Sequence, residues 1–273
     1  MTSPTSRLWE RTARAEVFDL AQPMRRGMPQ SPNHPPFRML LERRHGDTVR
    51  ADGGSAANEL IVTGGHVGTH VDALAHVSHE GRLHGGKRAG DVQSHEGFGA
   101  LGIEEFSPYV GRGVLLDVAR LHGVPVLPAG HEVTAGELAA AERRQGAAVR
   151  PGDAVLVGTG WSRLWHDADT FTGTTGGAPG PGPGAARWLA ERGVRLVGGE
   201  TIAFEHIAPG KGHATLPVHR ILLVEAGIHI VETMRLYELA DAGAGEFLLV
   251  LAPLPLVGAT GAPARPLAVV ERG

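Results

Sequence analysis

The chain contains no cysteine, which excludes disulfide frameworks, thiolate zinc sites and cysteine nucleophiles together. Any metal it binds must be held by nitrogen and oxygen ligands. Nor is there an excess of charge of one sign: 26 basic and 29 acidic residues are interspersed, for a formal net charge of -3. That leaves no basic field to draw a nucleic-acid backbone or an anionic membrane, so a small-molecule substrate is the expected partner. No apolar run approaches the roughly 20 residues that span a bilayer, and Met1 to Glu16 lacks the apolar core of a signal peptide. A cytoplasmic protein with no membrane and no nucleic-acid partner is expected. A Gly-x-Gly-x-x-Gly loop and a Gly-x-Ser-x-Gly elbow are also missing, which argues against dinucleotide binding and the usual serine-hydrolase apparatus.

What is present is enough apolar material, 42% of residues, to build a core over one large α/β domain. Forty glycines and nineteen prolines lie scattered between apolar runs, the mark of a loop-rich enzyme-like fold. Strand-like runs occupy 16–20, 59–63, 113–118, 154–157, 194–197, 228–231, 247–252 and 267–270. Helices are expected over 134–146, where Thr134 and Glu137 have capping-box spacing, and over 184–192 and 218–226, each ending at a glycine. Strands outnumber helices and alternate with them irregularly, which predicts a single mixed α/β domain over 1–273, with 1–15 as a flexible or exchanging arm. The Gly/Pro/Thr-rich stretch 170–184 holds neither helix nor central strand and reads as a surface loop near the active site.

The densest chemistry lies in Gly65-His66-Val67-Gly68-Thr69-His70-Val71-Asp72-Ala73-Leu74-Ala75-His76. Three imidazoles and a carboxylate in eleven residues are ligand types that suit Zn²⁺ or Mn²⁺. Asp72 follows His70 by two, and Gly65 and Gly68 disfavour helix. A tight loop around an ion, entering a helical turn near Asp72 that lifts His76 over the carboxylate, is the expected form. An ion there lowers the pKa of bound water, and His76 can move protons at neutral pH. The alternative is a histidine-rich segment whose glycines serve only a turn. His79 and His84 read as loop residues.

The run His66-Val-Gly-Thr-His70-Val-Asp72-x-x-x-His76 resembles the signature of the cyclase / bacterial kynurenine formamidase family of metal-dependent amide and lactam hydrolases. A second segment, from His219 to Glu232 and on through Phe247 to Pro255 and Pro266 to Val270, is similar to that family too, as are Asp19-Leu20 and Gly27-Met28-Pro29. The resemblance implies a swivelling β/β/α fold, a homodimer or homotetramer, and one or two Zn²⁺ or Mn²⁺ ions per chain. It assigns metal ligation to His66, His70 and Asp72, completed by His219 and Glu232, and acid/base work to His76. Two departures stand out. Leu74 and Val77 replace the usual proline and aromatic, which predicts an altered pocket wall and a substrate other than formylkynurenine. Gly198-Gly199-Glu200-Thr201 replaces an expected Gly-x-Asp.

Outside these motifs, Trp161 is a candidate to stack on an aromatic substrate, with a core role the alternative. Glu205, His206 and His213 lie in a loop-like segment and are candidates to contact substrate. The expected reaction is metal-dependent hydrolysis of a small cyclic or N-acyl amide, of the arylformamidase or isatin type. A cyclase or lactone hydrolase of specialised metabolism, and a metal-stabilised binding protein without catalysis, are the alternatives.

Overall fold

In the computed structural model, residues 10–271 are described. Its main strands are β1 (Ala15–Asp19), β2 (Arg38–Arg43), β3 (Asn58–Val62), β4 (His70–Asp72), β5 (Tyr109–Asp117), β6 (Ala154–Gly158), β7 (Leu196–Gly199), β8 (His229–Glu232), β9 (Glu246–Leu251), β10 (Gly261–Pro263) and β11 (Leu267–Glu271). Nine of them form one mixed sheet in the order β1-β11-β9-β5-β6-β7-β8-β4-β10. The four strands β5 to β8 run parallel, and antiparallel strands flank them on both sides. The expected mixed α/β fold is therefore present, with the parallel strands at its centre.

The two innermost strands, β6 and β7, are apolar at every position because both of their faces are covered. Val114, Leu116, Val155, Val157, Val197 and Ile230 point into one core. The alternating residues Leu115, Ala154, Leu156, Leu196 and Val231 point into the other, as the two-residue period of a strand requires. The first core is closed by α1 (Ala135–Gln145), α2 (Pro183–Glu191) and α3 (Pro217–His219), the last running on as a π-helical segment, Arg220–Ala226. Thr134 caps α1 with Glu137 in the expected capping box, and Gly146 ends it at φ 69°. Among the described residues, no helix is long and apolar enough to cross a membrane.

Two expectations need correction. The stretch 170–184 is not a surface loop: residues 177–182 are buried, and Gly180–Pro181 pairs with Glu132–Val133. Its glycines allow close backbone packing, since a Cβ at Gly177 would sit 2.3 Å from the Ile207 carbonyl oxygen and one at Gly180 2.3 Å from that of Phe204. The stretch is thus a buttress beneath the 204–207 segment. Of the proposed N-terminal arm, residues 1–9 lie outside the described residues. Residues 10–13 are helical, and Arg11 pairs with Glu271 at 2.8 Å.

Candidate metal centre

Strand β4 carries the centre. Because His70 and Asp72 are two residues apart on a strand, both side chains leave the same face. Sequence reasoning expected a helical turn near Asp72, and the structure overturns that: β4 is hydrogen-bonded on both edges, to β8 and to β10, and this ladder outweighs the local loop composition. The turn comes just after it, where the His76 N–H donates to the Ala73 carbonyl at 2.9 Å. On β8, Glu232 stands directly opposite His70. From the end of α3, His219 reaches in from the other side.

These groups meet closely. His70 Nε2 lies 3.3 Å from Asp72 Oδ1 and 3.3 Å from Glu232 Oε2. His219 Nε2 is 3.1 Å from Glu232 Oε1 and 3.5 Å from Asp72 Oδ2. His66 approaches Asp72 Oδ1 through Nδ1 at 2.7 Å, and its Nε2 is 2.9 Å from Thr260 Oγ1. His76 stacks on His66 with ring centroids 3.8 Å apart. Six residues predicted from sequence, His66, His70, Asp72, His76, His219 and Glu232, are thus brought together in one cluster, buried except for the half-buried His76.

Two of the imidazoles are held from behind. His70 Nδ1 donates to the Gly68 carbonyl at 2.7 Å, and His219 Nδ1 donates to Glu205 Oε1 at 2.6 Å. With Nδ1 so engaged, Nε2 is the ring nitrogen turned towards the carboxylates, protonated when the ring is charged and able to ligate an ion once that proton is displaced. Glu205 also accepts the backbone N–H groups of Val218 and His219. It lies in a strained stretch: Phe204, just before it, has φ 54°, and Thr233, just after Glu232, has φ 56°. Left-handed backbone at a bulky or β-branched residue is held only where surrounding structure enforces it.

Two buried carboxylates side by side demand positive charge. Burial acts to raise Asp72, but the imidazoles gathered around its carboxylate, His219, His66 and His70 in direct contact, hold it well below the usual carboxylate range. Burial likewise opposes charge on His70, yet Asp72 and Glu232 outweigh it and push the ring up to about 10. His76 goes the other way, lowered to about 4 by burial, and is neutral at physiological pH. His70 Nε2 and Asp72 Oδ2 are both buried without a hydrogen-bond partner. A buried ring nitrogen and a buried carboxylate oxygen left unsatisfied beside a second carboxylate fit a divalent cation bound by nitrogen and oxygen, which would take the place of the Nε2 proton.

The other predicted residues lie further out. Trp161 is 2% exposed in a third core with Phe171 and Trp165, and its indole N–H donates to the Phe171 carbonyl. His206 Nε2 donates to the Gly130 carbonyl at 2.9 Å, and Glu205 stands behind His219, not at the open side. His213 contacts Asn33 at 3.3 Å and, with Val77, Pro217 and Arg220, lines a cavity of about 520 Å³. Leu74 and Val77 both pack against the first core. Glu200 is fully buried and accepts from the Thr159 N–H and from the Thr159 and Ser162 hydroxyls, so it ties the 159–162 turn to the end of β7.

Sequence reasoning missed His34 and Thr260. His34 stacks on His66 at 5.2 Å, brought there from 32 positions upstream with no local motif to announce it. Thr260 belongs to the turn before β10 and is equally silent as sequence.

The family model Cyclase, described as "Putative cyclase", matches residues 18–206, more than half of the chain. The chain belongs to the Cyclase family. The match includes the whole first motif and stops short of His219 and Glu232. Among Cyclase relatives, the chain is similar to the kynurenine formamidase of Geobacillus thermodenitrificans (strain NG80-2), 27% identical over 249 residues, covering 91% of this chain and 94% of the relative. A crystal structure described as that of a novel cyclase superposes with a TM-score of 0.83 at 29% identity, covering 98% of this chain and 93% of the other. Isatin hydrolase A from Ralstonia solanacearum superposes at 0.75 with 24% identity, over 99% and 98% of the two chains. The likeness to isatin hydrolase is one of fold.

Proposed function

We propose that this Cyclase-family chain is a divalent-metal-dependent hydrolase of a small cyclic or N-acyl amide, with an N-formyl aromatic amide as the first class to test. The observation that carries the reading is the pair of orphaned buried atoms, His70 Nε2 and Asp72 Oδ2, set beside Glu232 and His219. Kinship with a kynurenine formamidase over nearly its whole length supports the amide class.

His70, Asp72, His219 and Glu232, with His66 beside them, would hold one or two Zn²⁺ or Mn²⁺ ions. A bound ion of this kind polarises a carbonyl and lowers the pKa of water towards neutrality. The protein's own residues supply the rest. Gly68 and Glu205 orient the two imidazoles, the cluster's burial keeps bulk water out, and His76, neutral at working pH, takes a proton and returns it to the leaving nitrogen.

Metal content by mass spectrometry, paired with N-formylanilide and lactam hydrolysis before and after chelation, tests this. One or two ions per chain and chelator-sensitive turnover are expected. Turnover that survives complete metal removal would sink the proposal, and turnover of lactones alone would move it to the ester-like branch of the same chemistry.

Glu205→Gln is expected to weaken metal retention by about 10–100-fold, the usual effect of losing a carboxylate behind a ligating imidazole. Chelator competition reads this directly. Unchanged affinity would reduce Glu205 to a cap for the 218–219 backbone.

We also propose that the partner is a second copy of this chain. The β2–β3 hairpin supports this: Met39, Leu40, Leu41, Leu60, Ile61 and Val62 are each between 42% and 54% exposed. They are distributed over both faces of a two-stranded ribbon, a form rarely stable in water unless covered. Lysine at both Leu41 and Ile61 is expected to shift the mass measured by light scattering towards the monomer. A monomeric wild type would refute the pairing.

A further inference from the structure

A second group of metal-ligand side chains stands apart from the centre and shares no residue with it. His122 caps the short helix Val118–Leu121 that follows β5, His131 closes the 128–131 loop, and Glu137 sits in the first turn of α1. Their ligand atoms all lie within 4.8 Å of one another. Both imidazoles aim the same atom at the same target: His122 Nε2 is 2.6 Å and His131 Nε2 2.8 Å from Glu137 Oε1. The two rings stand nearly edge to face, 5.2 Å apart.

We propose that His122, His131 and Glu137 form a second divalent-cation site, of a kind suited to Zn²⁺. Three features carry this beyond an ordinary ion pair. The first is that the carboxylate is fixed independently of the imidazoles: its other oxygen, Oε2, accepts from the Thr134 N–H at 2.7 Å and from the Thr134 hydroxyl at 2.8 Å. Oε1 is therefore held in place for whatever binds it, as the outer partners of metal ligands do. The second is the donor set, two imidazoles and one carboxylate, which is a zinc set with a fourth position left for water. The third is access. The side chains of His122, His131 and Glu137 are 41%, 25% and 17% exposed, so an ion can enter from solvent.

Fit requires only a small adjustment. With bonds of about 2.0–2.1 Å to a tetrahedral ion, ligand atoms sit roughly 3.3 Å apart. The present 2.6 and 2.8 Å separations must then widen by roughly 0.5–0.7 Å, which partly exposed histidine side chains can do. Binding exchanges the Nε2 protons that now bridge to Oε1 for the ion. An ion here joins the end of one loop to the start of α1, and the same loop holds the buttress, since the His131 carbonyl accepts the Gly180 N–H at 3.1 Å. The inference stands on this geometry and is independent of the proposed reaction.

The test uses the full chain, stripped of metal, saturated with Zn²⁺ and freed of excess ion. Wild type is compared with His122→Gln and with His122→Gln/His131→Gln. Gln at position 122 keeps an N–H for Glu137 while removing the imidazole, and neither residue belongs to the proposed catalytic cluster. The expected result is that each variant retains about one zinc fewer per chain than wild type and loses part of the zinc-dependent rise in melting temperature. Equal zinc content in wild type and both variants would overturn the proposal.

Discussion

Asp72→Asn is expected to abolish both metal retention and hydrolysis, with turnover reduced by about a thousandfold or more, the scale of losing a preorganised electrostatic contact at the reacting centre. Asp72 is fully buried and meets three imidazoles: His66 at 2.7 Å, His70 at 3.3 Å and His219 at 3.5 Å. Asparagine has nearly the same shape, so packing against β8 and β10 should survive. What it removes is charge and one acceptor. Metal analysis and steady-state kinetics on the folded variant decide the matter. A variant that keeps its ion and its rate would mean that the cluster is a buried charge network with no catalytic part.

His76→Gln is the complementary experiment, because His76 has no carboxylate within its own hydrogen-bonding reach and contacts the cluster by stacking on His66 at 3.8 Å. Metal content should remain at the wild-type level while kcat falls by about 10²–10⁴-fold, the usual worth of a positioned general acid or base. The separation of the two readouts is the point: Asp72→Asn loses ion and rate together, His76→Gln the rate alone. If kcat stayed within a factor of two of wild type, the proton would have to be moved by another imidazole. His34, which lies 6.4 Å from His76 and 5.2 Å from His66, is the one to test next.

The His-rich motif was legible because its residue types are unusual in combination and close in sequence. Its local form was not. Glycines at 65 and 68 pointed to a loop and helical turn, but the pairing of β4 with β8 and β10 imposed a strand, and only a strand sends His70 and Asp72 to the same side. Glu205 shows the opposite difficulty. Its loop-like neighbours suggested a group open to substrate, whereas the Gly177 and Gly180 contacts pin the 204–207 segment inside the protein and turn the carboxylate towards His219.

By itself, the sequence determined the fold class, the caps of α1, the most strongly apolar strands and the chemical identity of the centre, since these depend on composition and on neighbours a few residues apart. The tertiary structure decided which atoms face one another. Bringing Glu232 opposite His70 and stacking His34 on His66 join residues dozens to more than a hundred positions apart, and seating His219 against Glu205 spans a loop with no regular period. Such meetings are selected by burial and strand pairing summed over the whole sheet, which no local pattern encodes.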